Sequence, residues 1–277
     1  MEEVKNYKLI IEAGKGKSRY FKDLWRYREL FLFLAWRDIL VRYKQTIIGL
    51  AWSVIRPLLT MIIFTIIFGK IAKLPSDGAP YAIMVYSAML PWQFFSNTLS
   101  EGGNALITNS NMVSKVYFPR IIIPTTSMIV SLIDFIISIA ILACVMGVYL
   151  YTPSWKIVFI PFFLILAVIT SLGITYLISA LNVKYRDFRY VLPFIIQFAL
   201  YISPVGFSSA LIPHKWRLLY SLNPMVGVID GFRWSIQGTG NIIYWPGFIL
   251  SIGIGFLVFI IGFSVFRKIE REFADVI

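Results

Sequence analysis

The chain has 277 residues, of which 58% are hydrophobic and 14% charged, with a net charge of +12, one cysteine and one histidine. Soluble domains carry about 25% charged residues, so a bilayer is the solvent for most of this chain. The positive charge then belongs to the lysines and arginines that flank membrane spans on the cytoplasmic side, not to a nucleic-acid surface, and Cys144 and His214 are too few for a disulfide framework or a Cys/His metal cluster.

Residues 1–20 are polar and rich in lysine and glycine, a cytoplasmic arm without the apolar core and cleavage site of a secretory signal. Gly16-Lys17-Ser18 looks like the end of a phosphate-binding loop, but Ile11 stands where that loop needs its first glycine, and no apolar strand precedes it. From Phe21 to Lys44 the pattern is helical and amphipathic. At about 100° per residue, Lys22, Arg26, Glu29, Arg37 and Lys44 fall within roughly 80°, opposite Leu24, Tyr27, Phe31, Leu34 and Ala35. Asp38 and Arg42 stand four apart with the acid first, which predicts a local ion pair. The apolar run Leu30–Trp36 is too short to span, so residues 21–45 are expected to lie along the cytoplasmic leaflet as an interfacial helix.

Six membrane spans are predicted after it, at about 47–69, 81–99, 123–149, 157–181, 190–211 and 244–266. The expected fold is an all-α polytopic membrane protein, with residues 21–277 forming one transmembrane domain. Nineteen lysines and arginines fall on the side of the N-terminal arm and six on the other. Both termini are therefore expected in the cytoplasm. The external segment 212–243 holds two short helical patterns, WRLLYSL and MVGVIDGFRWSI, broken at Asn223-Pro224. Neither can cross alone, and two half-length helices dipping back into the outer leaflet fit them.

The cytoplasmic loop 104–119, NALITNSNMVSKVYFP, is too polar for the membrane and too apolar for a free linker. Its Leu106, Met112, Val113, Val116, Tyr117 and Phe118 suit a short helix docking into a groove on another protein. Within the spans lie two ionisable residues, Arg56 and Asp134. Charges at such depth face a cavity or a partner: Arg56 either pairs with Asp134, snorkels to the cytoplasmic boundary, or handles an anionic group of a substrate. The aromatic residues Trp52, Phe64, Phe68, Trp92, Phe94 and Phe95, on spans 1 and 2, offer flat apolar faces for the C–H faces of sugar rings or simply pack the helices. No residue set for covalent catalysis or nucleotide binding is present, and the scattered acids Asp77, Asp134, Asp187 and Asp230 argue against a membrane-embedded transferase.

The run RDILVRYKQTIIGLAWSVIRPLLTMIIFTIIFG, followed by VYSAMLPWQFFSNTLSEGGNALITNSNMVSKVYFPRIIIP, resembles the membrane subunit of polysaccharide-exporting ABC transporters, the family of Wzm-like O-antigen, capsule and teichoic-acid exporters. NVKYRDFRYVLPFIIQFALYISPV and PHKWRLLYSLNPMVGVIDGFRWSI match in the same order, so the likeness runs from Phe21 to the end. The resemblance implies a multi-pass homodimer in the bacterial inner membrane. It would be bound to two copies of a cytoplasmic ABC ATPase that hold ATP and Mg, with no cofactor on this chain. Its substrate would be a polyprenyl-diphosphate-linked glycan or, as alternatives, teichoic acid, capsule, or a small lipid or drug. The resemblance further implies a gate helix that meets the lipid head group through Arg37, Asp38, Arg42, Tyr43 and Lys44. ATPase coupling would fall to Asn109, Asn111, Met112, Val113, Ser114, Lys115, Val116, Tyr117 and Phe118, with Tyr185, Arg186 and Asp187 as a second contact. Channel residues would be Trp52, Arg56, Phe64, Phe68, Trp92, Phe94 and Phe95. Relatives often carry Gln before the span-1 proline, where this chain has Arg56.

Overall fold

The computed structural model describes residues 17–44, 47–185, 187–238, 243–270 and 273, and among them every regular element is helical. The predicted interfacial helix is two helices, α1 (Lys17–Arg26) and α2 (Arg28–Lys44). They are joined at Tyr27, where backbone bonds from Tyr27 N to Asp23 O and from Phe31 N to Tyr27 O, both 3.0 Å, carry the ladder across the joint. Next come α3 (Ile47–Phe64), which passes into a π-helical turn at Thr65–Ile71, then α4 (Tyr81–Thr108), α5 (Ser110–Lys115) and α6 (Ile122–Val148). A 3₁₀ turn at Trp155–Phe159 leads into α7 (Ile160–Lys184), followed by α8 (Phe188–Ile202), α9 (His214–Tyr220), α10 (Pro224–Gln237) and α11 (Trp245–Ile269).

Four helical stretches among the described residues are long and apolar enough to cross a membrane: Val54–Ile71, Ile122–Val148, Trp155–Lys184 and Trp245–Ile269. The 28 residues of α4 are long enough, but α4 packs between α6 and α7 and also touches α3, α8 and α10. An interior helix needs no lipid-facing surface, which is why α4 can carry buried Ser87 and Thr98. It also continues to Thr108 instead of ending at the predicted residue 99. Gly102 and Gly103 permit this continuation: a Cβ on Gly103 would lie 2.9 Å from Leu192 and 3.1 Å from Ile178, and one on Gly102 would meet Thr175.

The helix α8 stops at Ile202, short of the predicted residue 211. Ser203 is extended (φ −80°, ψ 150°) because the residue before a proline, here Pro204, is pushed out of the α region. The break at Asn223-Pro224 is as expected, with the Asn223 side chain capping Met225 N–H at 3.0 Å and Pro224 opening α10.

Two apolar clusters fill the interior. One is centred on α4, α6, α7 and α10, and the other gathers Leu34, Leu106, Val113, Phe118, Tyr176, Phe266 and Phe273 where α2, α5 and the last turn of α11 meet. Helices in lipid gain little from apolar burial and associate by close packing of small residues. The crossing of α7 and α11 shows this, since a Cβ on Gly262 would overlap the Gly173 carbonyl oxygen and one on Gly173 would lie 2.6 Å from Phe259 Cα. Because the obstacle is backbone, Gly262→Val is expected to lower stability by about 3 kcal/mol, the upper end of overpacking costs. Gly253→Ala, which meets nothing within 4 Å and replaces a glycine inside a helix, should not lower the thermal unfolding midpoint of the solubilised protein.

Candidate functional site

A ladder of polar side chains runs along the seam where α2 lies on α6 and the end of α4. At its first rung Arg37 Nη2 donates to Asp38 Oδ1 at 2.7 Å and to Asn109 Oδ1 at 3.0 Å. Asp38 Oδ2 accepts from the Thr126 hydroxyl at 3.4 Å. Further along, the Arg42 guanidinium bridges two carboxylates, Glu101 on α4 and Asp134 on α6, the latter at 2.8 Å. The Tyr43 hydroxyl donates to Asp134 Oδ1, and Asn97 Nδ2 approaches Oδ2 at 3.4 Å. Asp134 sits near the middle of the 27-residue α6, so α2 carries its charges well along the bundle.

This geometry corrects two expectations. Asp38 pairs with its neighbour Arg37 and not with Arg42, which is drawn to the two carboxylates of the adjacent helices. Asp134 pairs with Arg42 and not with Arg56, because α2 packs against α6 there while Arg56 lies on an exposed face of α3. Of the gate residues, Arg37, Asp38, Arg42 and Tyr43 thus all belong to one seam. The side chains of Lys44 and Trp52, and Arg186, lie outside the described residues.

The predicted coupling segment contains a short helix, α5, but its apolar residues divide. Leu106, Val113 and Phe118 are buried in the bundle. Val116 and Tyr117 are exposed, as are Asn111, Ser114 and Lys115, while Met112 is half-buried and Asn109 is bonded to Arg37. The expected six-residue apolar surface is therefore reduced to Val116 and Tyr117 with an edge of Met112, since the other three side chains are buried in the second apolar cluster. Tyr185 and Asp187 are exposed. A neighbouring knot ties the two ends of the described chain together. Glu270 accepts from Arg120 N–H at 2.8 Å and from the Tyr20 hydroxyl at 3.2 Å, and the Arg267 guanidinium stacks 3.5 Å over the Tyr20 ring. Burial raises the Glu270 carboxyl above its ordinary range, against the pull of the Arg120 N–H and of Arg267.

The channel aromatics also divide. Trp92, Phe94 and Phe95 are buried in the core, with Phe94 edge-on to Phe135 at 6.2 Å. Within the single chain they pack α4 against its neighbours. Phe64 and Phe68 are half-buried, edge-on to each other at 5.4 Å, and cover Gly206.

At the far end of the bundle the structure shows an anchor that sequence reasoning missed. Arg233, within the segment 212–243 expected on the external side, is 1% exposed. Its guanidinium donates to three carbonyls, Phe207 at 2.7 Å, Val205 at 3.0 Å and Met84 at 3.3 Å. Tyr81 donates to the Gly206 carbonyl, Tyr220 to Ile202 and Arg217 to Ile212 and Ala210, so with Arg233 side chains serve six carbonyls between residues 202 and 212. The one available signal was Arg233 inside an otherwise apolar helical pattern. Among the described residues no three His, Cys, Asp or Glu side chains gather as a metal site.

Long apolar helices closed by glycine contacts define a multi-pass membrane protein. A family model described as ABC-2 type transporter matches residues 29–236, and the chain belongs to that family. It is similar to the O-antigen export system permease protein RfbA of Klebsiella pneumoniae, 28% identical over 256 residues that make up 90% of this chain and 95% of that protein. A protein of the same name from Myxococcus xanthus is 25% identical over 217 residues, 78% of this chain and 83% of its own length.

The seam has an energetic signature. Arg42→Gln and Asp134→Asn each leave a partly buried charge with a missing partner and are expected to destabilise by about 1–3 kcal/mol. In a double-mutant cycle they should couple by about 0.5–3 kcal/mol. Arg56→Gln, on an exposed face, should stay within about 0.5 kcal/mol. Unfolding of the solubilised variants by a denaturing detergent measures all three.

Proposed function

We propose that this chain is the channel-forming subunit of an ABC exporter that carries a lipid-linked polysaccharide of the O-antigen type across the bacterial inner membrane. The observation that carries this reading is its likeness to two permeases named for O-antigen export, over 90% and 78% of its length, within the family matched at residues 29–236. A separate cytoplasmic ATPase binds ATP and Mg and supplies the work, two copies serving a homodimer of this chain. In this reading α4 and α8 complete a six-span topology with the four apolar stretches, and both termini face the cytoplasm, as the distribution of lysine and arginine indicates. The helices α9 and α10 are re-entrant from the outer side.

The seam supplies a mechanism for gating. The α2 helix follows the α5 region through the Arg37–Asn109 bond and holds α6 through Arg42, Tyr43 and Asp134. A push on α5 from the ATPase, received by exposed Val116 and Tyr117 and by exposed Tyr185 and Asp187, strains the first rung and releases the second. Opening the seam frees Arg37 and Arg42 to receive the diphosphate of the lipid carrier, which guanidinium groups match by charge and paired hydrogen bonds. The exposed stripe of Tyr190, Phe194, Phe198 and Tyr201 on α8 and the exposed isoleucines of α3 offer apolar faces to lipid and to the second copy.

Deleting this chain from its own cell tests the reading. Lipid-linked polysaccharide is expected to accumulate on the cytoplasmic side and to vanish from the surface. Both defects should be reversed by the wild-type chain, but not when the ATPase is inactivated. Normal surface polysaccharide in the deletion strain would refute the assignment.

A further inference from the structure

At the end of the bundle away from the α2 seam lies a cavity of about 510 Å³, within the roughly 300–1,000 Å³ typical of small-molecule sites. It is lined by the turn before α4, by α9 and α10, and by the start of α11. The groups that give it chemical character are Asp77, Arg217, Tyr220, Asp230, Tyr244 and Trp245.

These groups are held in place. Tyr220 is fixed by its hydroxyl bond to the Ile202 carbonyl at 2.8 Å, and Tyr244 stands edge-on to His214 at 5.7 Å. Arg217 commits Nε and Nη2 to the Ile212 and Ala210 carbonyls, at 3.0 and 2.8 Å. Asp77 has φ +52° and is followed by Gly78 at +86°, a left-handed turn that costs an aspartate free energy and persists only where its surroundings impose it. Asp77 Oδ2 is buried with no hydrogen-bond partner among the described residues. A buried carboxylate oxygen left unpaired is an acceptor in want of a donor.

The composition selects among ligands. Asp77 and Asp230 stand against Arg217 in the wall and the buried Arg233 behind it, so the charges balance and a phosphate finds no net attraction. Carboxylates accept strong bonds from hydroxyls, and aromatic faces receive the C–H faces of a pyranose ring. Trp245, 61% exposed, stands at the rim as such a face. An uncharged, hydroxyl-rich ring with an apolar side suits a wall of carboxylates and aromatic faces.

We propose that this cavity is a saccharide subsite that takes an uncharged pyranose of the exported polymer on the outer side of the membrane, an inference that rests on the export reading above. A ring held there keeps the polymer from sliding back between strokes of the ATPase.

The test titrates the purified full chain in lipid nanodiscs with D-glucose, D-galactose, D-mannose and N-acetyl-D-glucosamine, reading tryptophan fluorescence and saturation-transfer NMR. At least one sugar is expected to bind saturably. Asp230→Asn should weaken it about 10-fold or more, the worth of one hydrogen bond to a charged group. Trp245→Ala should weaken it likewise, while Trp245→Tyr retains it, and Asp77→Asn replaces Asp230→Asn if that variant does not fold. Binding of none of the four sugars overturns the proposal, as does binding unchanged in both the aspartate and Trp245→Ala variants. It is equally overturned if calcium chloride or phosphatidylethanolamine vesicles alone give the fluorescence change and the sugars do not. Sugar binding in a chain that fails to move glycan in ATP-driven vesicles upholds the cavity and defeats the export reading; glycan movement without sugar binding does the reverse.

Discussion

A carboxylate near the middle of a membrane helix is tolerated only when another group neutralises it, and Asp134 imposes that demand on this chain. The groups that meet it, Arg42 and Tyr43, arrive on α2. The requirement therefore draws a surface-type helix into the bundle and lays it along α6. It also decides what its neighbours do: Arg42 spans to Glu101 on α4, Arg37 turns to Asp38 and Asn109, and Arg56 is left on the exposed face of α3. An ion pair of this kind stabilises little beyond its own desolvation cost but is costly to break on one side only. It suits a joint that must be either closed or open, and it lies between α5, which faces the ATPase in our reading, and the first span.

The other end of the bundle solves a different problem with the same means. Backbone outside helices must find hydrogen bonds at membrane depth, and it does so only where protein covers it. Arg233 gives three donors to the carbonyls of Met84, Val205 and Phe207, and Tyr81, Arg217 and Tyr220 bond those of Ile202, Gly206, Ala210 and Ile212. The two short helices after Ser203 are thereby tied to the bundle, and the cavity lies between them and α11. One end of the chain is thus built around a charge pair that can part, and the other around a charge that cannot leave.

Much of this was legible in the residues. The apolar runs of α6, α7 and α11 match their predicted spans within about three residues, because lipid-facing helices announce themselves by hydropathy. Asn223-Pro224 marked the break between α9 and α10 for local reasons of capping and proline geometry. Helix α4 was harder, since an interior helix carries polar residues and its glycines read as a loop until their partners on α6, α7 and α8 are seen. The site was harder still. Arg42, Glu101 and Asp134 are separated by 59 and 33 residues, and nothing local tells an arginine which of two distant carboxylates it will meet. Trp92, Phe94 and Phe95 had the composition of a sugar-binding surface, yet their helix faces inward. Arg233 looked like one more external charge because sequence shows charge and not the carbonyls that surround it.

The central claim is that the α2–α6 seam must open for each polymer to pass. Asp38 and Thr126, whose side-chain oxygens are 3.4 Å apart, give the means to lock it. In a chain with its one native thiol removed by Cys144→Ser, Asp38→Cys and Thr126→Cys are introduced together. The chain is reconstituted with its ATPase in vesicles, and ATP-driven movement of lipid-linked glycan to a lectin-accessible face is followed before and after oxidation. The account predicts that oxidation stops movement and that a reductant restores it. Movement at an unchanged rate with the seam fully cross-linked would contradict it.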